Sequence, residues 1–127
     1  MSKKQFRSTY NIGDKAKLDV ELSVLIWKDQ DNIHYCYSPA LDLTGYGKSE
    51  ADARQSFENT LQDFISYTHN KNTIFEELER LGWTVNRKKK RANPPSQEQL
   101  LEDNENYQQL YHNKNVRIEQ QMVGLAL

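Results

Sequence analysis

The chain has 127 residues, 28% of them charged, and a formal net charge of -1. That length holds one hydrophobic core with a modest extension, and the near-neutral balance supplies no overall field for nucleic acid or an anionic membrane, so any such contact must come from a local patch. The single cysteine, Cys36, excludes an intrachain disulfide, and the basic stretch at residues 1–7 is not followed by an apolar segment of signal-peptide or membrane-span length, so a cytosolic, reduced protein is expected.

Residues 1–17 are polar and contain Asn11, Gly13 and Asp14, which predicts a flexible lead-in. From Leu18, apolar residues recur at Val20, Leu22, Val24 and Ile26 with Asp19, Glu21 and Ser23 between them, the period-2 signature of a strand with one covered face. Asp29 to Asn32 supply turn chemistry, and Ile33, Tyr35 and Tyr37 alternate with His34, Cys36 and Ser38, so the two segments read as an antiparallel hairpin. Pro39 ends that strand, and a short third strand is expected over residues 43–47. Ser49 with Asp52 forms a capping-box-like start for a helix to about Tyr67, whose stripe is Ala53, Phe57, Leu61, Phe64 and Ile65. Thr73 and Glu76 repeat the signature ahead of a short helix that Gly82 stops, and Trp83 to Arg87 alternate as a fourth strand.

The composition changes at Lys88, Lys89, Lys90 and Arg91, followed by Pro94 and Pro95, and a module boundary is expected there. Ser96 with Gln99 opens one further helix carrying Leu100, Leu101, Tyr107, Leu110 and Tyr111. The last segment, from Val116 to Leu127, is strand-like with an apolar end at Met122 to Leu127, so it is expected to dock on a sheet edge or on another subunit. A small open sheet with such a tail predicts a homodimer or higher homo-oligomer.

No arrangement in the sequence reads as a catalytic set, and no cofactor or metal is expected. His34 and Cys36 lie two apart on one strand face, but zinc sites use tighter ligand pairs and the other histidines, His69 and His112, add no matching spacing. Cys36 reads as a half-buried structural thiol. Asp19, Asp29, Asp31 and Asp42 fall on or beside strands where a metal-dependent nuclease would carry acids, although turn chemistry and strand alternation account for them; Asp19 with Asp42 is the nuclease alternative. Gly45 and Gly47 precede a helix without the third glycine of a dinucleotide fingerprint. Lys88, Lys89, Lys90 and Arg91 could neutralise a few phosphates, giving salt-sensitive, sequence-blind affinity for RNA or DNA. Tyr10, Tyr35, Tyr37, Tyr46 and Tyr67 offer apolar area with a polar tip, the chemistry of interface anchors.

Taken in order, the first-strand alternation, Tyr35-Cys-Tyr37-Ser-Pro39, Leu41-Asp-Leu43-Thr-Gly45-Tyr-Gly47, the Ser49 to Ala53 helix start, the stripe through Phe57 and Leu61, and Leu81-Gly-Trp83 resemble the HicB-like antitoxin family of type II toxin–antitoxin modules, over residues 18–87. The resemblance implies a partial RNase H-like α+β fold without nuclease activity: a small antiparallel sheet packed on one helix, here with a C-terminal helix-strand extension at residues 88–127. It also implies a partner, a small HicA-like RNA-cleaving toxin that the antitoxin blocks, and often a C-terminal DNA-binding segment. The sequence departs from the family in its Pro39 to Gly45 turn, and after Trp83 it fits neither a helix-turn-helix nor a ribbon-helix-helix. Partner contact is expected at Tyr35, Tyr37, Leu41, Asp42 and Tyr46, and nucleic-acid contact, as the alternative, at Lys88, Lys89, Lys90 and Arg91.

Overall fold

The alternation that starts at Leu18 belongs to a longer strand around which the whole chain is organised. The structure, a computed structural model, describes residues 6–12 and 15–127, with side chains from Leu18 onward. Its elements are β1 (Phe6–Ile12), β2 (Lys15–Lys28), β3 (His34–Ser38), β4 (Leu43–Gly47), α1 (Glu50–Asn70), α2 (Ile74–Arg80), β5 (Thr84–Asn86), β6 (Arg91–Asn93), α3 (Gln97–Asp103), α4 (Glu105–Tyr111) and β7 (Arg117–Ala126). The fold is α+β: among the described residues, a five-stranded antiparallel sheet, a separate two-stranded β5–β6 ribbon and four helices.

β2 is the spine. Along one edge, β1 pairs with its first half, Tyr10 opposite Lys17, and β3 with its end, Leu25 opposite Tyr37. Along the other edge β7 runs in unbroken register, from Lys17 opposite Ala126 to Ile26 opposite Arg117. The docking of the apolar tail on a sheet edge is therefore intramolecular, and residues 88–127 are no separate module, because their last strand completes the main sheet. The N-terminal expectation also needs correction: residues 6–12 are a strand, held by backbone pairing to β2 with an irregularity between Phe6 and Thr9. Residues 1–5 of that lead-in, and the turn-prone Gly13 and Asp14, lie outside the described residues.

Opposite residues of an antiparallel pair share a face, as do residues two apart on a strand. One face of the sheet thus carries Leu18, Val20, Leu22, Val24, Ile26, Cys36, Val123 and Leu125, which pack with Ala53, Phe57 and Leu61 of α1, Ile74 and Leu78 of α2, and Trp83 into one buried cluster. Each fully buried Leu, Ile, Val or Phe side chain contributes ~1.5–3 kcal/mol to folding relative to exposure. Ser49 starts α1 as expected, its hydroxyl accepting from the Asp52 N–H at 3.1 Å. Thr73 precedes α2 without a side-chain cap, and Gly82, at φ 95°, takes the left-handed turn that ends the segment.

Two local expectations change. The basic run forms no linker: residues 87–90 are the turn of the β5–β6 hairpin, in which Val85 pairs with Ala92 and Ala92 is buried in the core. The single helix after Ser96 is instead two, broken at Asn104, whose backbone is extended and whose side chain caps α4 by accepting the Tyr107 N–H at 3.0 Å. That break turns α4 onto the second face of the sheet, so helices cover both faces and not one. Tyr107 is buried there, as is Leu25, which points away from α1 by strand parity.

Candidate partner-binding face

The second sheet face is covered by α4 only in part. Registers Trp27 opposite Tyr35 and Tyr35 opposite Tyr46 set three aromatic side chains in one row across β2, β3 and β4. Trp27 and Tyr35 stack with ring centroids 5.1 Å apart and 17° between planes, while Tyr46 is 64% exposed. The neighbouring row, Leu25, Tyr37 and Thr44, runs beneath α4, leaving a cleft of about 300 Å³ lined by Trp27, Tyr35, Tyr37, Thr44, Asn106 and Leu110.

Carboxylates hold both rows in place. Asp29 accepts the Tyr35 hydroxyl at 3.0 Å through one oxygen and the N–H groups of Asp31 and Ile33 at 2.9 and 3.0 Å through the other. The Ile33 amide, ahead of the tyrosine, holds the Asp29 carboxyl below its ordinary range. The hydrogen bond to Asp29 pushes the Tyr35 phenol up. Tyr37 donates to Asp42 at 3.1 Å and accepts from the Asn104 amide at 2.8 Å, and burial pushes its phenol up to about 12. The ionised form of Asp29 is thereby favoured beside the rings, whereas Lys28 belongs to the opposite face by strand parity.

The expected contact residues divide accordingly. Tyr35, Tyr46 and Asp42 are accessible, but Leu41 is 2% exposed in the core and Tyr37 is buried under α4, so neither presents a surface for a partner. Trp27 was absent from that set; its position two residues after Leu25, opposite Tyr35, is the signal that identifies it. Tyr67 is exposed on α1, away from the row, and the side chain of Tyr10 lies outside the described residues. Lys88, Lys89, Lys90 and Arg91 are all exposed at the tip of the β5–β6 hairpin. Arg87, beside them, is held by Glu79 at 2.7 Å.

Elsewhere the ionisable groups serve structure. Burial pushes the Cys36 thiol up to about 11, leaving it a neutral core group at physiological pH. Among the described residues no group of three or more His, Cys, Asp or Glu side chains is placed to hold a metal ion. Glu50 and Arg54 of α1 form a closed ion-pair network with Arg117 and Glu119 of β7, at 2.7 to 2.9 Å. Arg117, then Arg54, hold the Glu50 carboxyl down to about 2 from its ordinary 4.5. A carboxyl whose folded-state value is depressed stabilises the fold above its unfolded value and loses that contribution as pH falls through the folded one. Thermal stability should therefore decline between about pH 4.5 and 2. Glu50→Gln should show a smaller decline over that window, and salt should shrink the difference because these side chains are partly exposed. Identical acid profiles for the two proteins in melting experiments would remove the network from the account of acid stability.

Compared with family models, with the sequences of characterised proteins and with solved structures, the chain matches none.

Proposed function

We propose that this chain is a non-enzymatic binding protein of the HicB-like antitoxin type, with a partial RNase H-like fold, acting in the cytoplasm by masking a small HicA-like RNA-cleaving toxin. The observation that carries the reading is the open row Trp27, Tyr35 and Tyr46 on the sheet, with Asp29 bonded to Tyr35 in that row and Asp42 bonded to Tyr37 in the next. Tyrosine and tryptophan on a fixed backbone give a partner large contact area at low entropic cost, and they dominate interface energetics. RNA-cleaving proteins are basic where they hold phosphates, so carboxylates set among the rings favour that class of partner.

A second reading rests on the hairpin: Lys88, Lys89, Lys90 and Arg91 are exposed at the end of a two-stranded ribbon, a shape that can approach a phosphate backbone. One experiment separates the two. The tagged full-length chain is recovered from its native cells and its companions are identified. The first reading expects a small basic protein whose affinity falls roughly 30-fold with Trp27→Ala or Tyr46→Ala, a hot-spot loss of about 2 kcal/mol. Recovery of nucleic acid instead, lost when residues 88–91 are changed to alanine and unaffected by Trp27→Ala, would replace it with the second.

A further inference from the structure

The free edge of β7 carries a pattern that the masking role does not use. One edge of β7 is bonded to β2 along Arg117–Ala126, and among the described residues no strand pairs with the other. A ten-residue edge, along which every second residue turns its N–H and C=O outward, forms a long template for another strand, and proteins usually blunt such an edge with proline, lysine or a bulge. Arg117–Ala126 contains neither proline nor lysine, and its pairing with β2 is without irregularity. By contrast, the outer edge of β4 spans five residues and runs into Lys48. On β7, Ile118 and Met122 are both exposed, 41% and 45%, on the face opposite the core, each two residues from Gln120.

We infer that the β7 edge is a homodimer interface, a second copy pairing antiparallel about a two-fold axis through Gln120, so that two five-stranded sheets become one continuous sheet. In that register Ile118 of each copy faces Met122 of the other, Gln120 faces itself, Glu119 faces Gln121 and Arg117 faces Val123, all on matching faces. Both exposed apolar side chains gain an apolar partner, twice, and no like charges meet. The neighbouring registers lose this complementarity: an axis at Glu119 opposes two carboxylates, and one at Gln121 sets Ile118 against Gly124 and Met122 against Gln120. A second copy is favoured over a foreign strand because the sequence is complementary to itself about one residue. The inference is independent of what the aromatic face grips.

The test uses the full chain. Sedimentation equilibrium across the micromolar range should give a dimer. Gln120→Cys should oxidise to a covalent dimer, because opposite residues of an antiparallel pair lie within disulfide reach, while Glu119→Cys, out of register with itself, should not. The native thiol does not interfere, being buried. Ile118→Lys should weaken the dimer by roughly tenfold or more. Ile118→Lys combined with Met122→Glu should restore it, by placing each lysine against the other copy's glutamate. All of these positions are on exposed or half-exposed strand sites, and circular dichroism confirms folding of each variant. A monomer throughout the range overturns the inference, as does cross-linking through position 119 in preference to 120, or failure of the charge pair to restore the dimer.

Discussion

Gly45→Ala is expected to unfold the protein, or to lower its urea midpoint by the equivalent of ~3 kcal/mol or more. Gly45 sits on β4 opposite Cys36, on the core face, where α1 crosses the sheet. A Cβ built there would lie 2.2 Å from the Phe57 nitrogen, 2.5 Å from its Cα and 2.7 Å from the Ala53 carbonyl oxygen. All three are backbone atoms of one helix, so no side-chain rotation can relieve the clash and α1 must lift from the strand. Lifting it also opens the contacts of Ala53 and Phe57, both buried. A variant within ~0.5 kcal/mol of wild type, the range of ordinary surface changes, would refute this packing of helix on strand.

Trp83→Ala should cost ~3–5 kcal/mol, the usual range for emptying a buried indole site. Trp83 is 4% exposed in the central cluster, and its indole N–H donates to the Ala40 carbonyl at 2.8 Å, a bond made in the interior. The residue thereby clamps the turn after β3 to the chain leading into β5. Trp83→Phe keeps most of the apolar volume but leaves the Ala40 oxygen unpaired, so a smaller loss of ~1–3 kcal/mol is expected. Trp27 remains as a fluorescence reporter in both variants. Equal losses for the two substitutions would show that the shared loss of the hydrogen bond decides and that the apolar volume contributes nothing, whereas no loss in Trp83→Phe would show that the bond contributes nothing.

The parts of the fold legible in the sequence are those where one face is buried and the other wet. β2 from Leu18, the β3 and β4 strands, the Ser49 cap, and the stripe of Ala53, Phe57 and Leu61 all declare themselves by period, because burial selects the side chains. Where backbone pairing or a single polar bond decides, the pattern falls silent. Phe6–Ile12 is a strand through its ladder to β2, announced only by an alternation of Phe6, Tyr10 and Ile12 that Ser8 interrupts. The β5–β6 hairpin is hidden by its lysines, since a charged turn and a charged linker have the same composition, and only the Val85–Ala92 pair separates them. The break between α3 and α4 depends on Asn104 finding Tyr37, a partner that sequence spacing cannot supply.

The same division holds for the candidate site. Tyr35 and Tyr46 were legible as aromatics on successive strands. Leu41 reads as surface in the sequence because it lies in a turn-like segment, and turns are usually solvated; here the segment folds inward and Leu41 joins the core. Trp27 escapes the sequence pattern because it falls where the alternation of β2 changes faces: Leu25 and Trp27 continue the polar side of the strand, and their partners come from β3.

The placement of β7 beside β2 bears on how the chain is made. Lys17 pairs with Ala126 and Ile26 with Arg117, so the spine acquires its second neighbour from residues synthesised long after it. Until then a nascent β2 has a bare edge and apolar side chains without their cover, and closing such a distant pair is slow. During that interval the growing polypeptide is at its most vulnerable to capture by a neighbouring ribosome's product, and a chaperone that shields extended segments would act at this stage.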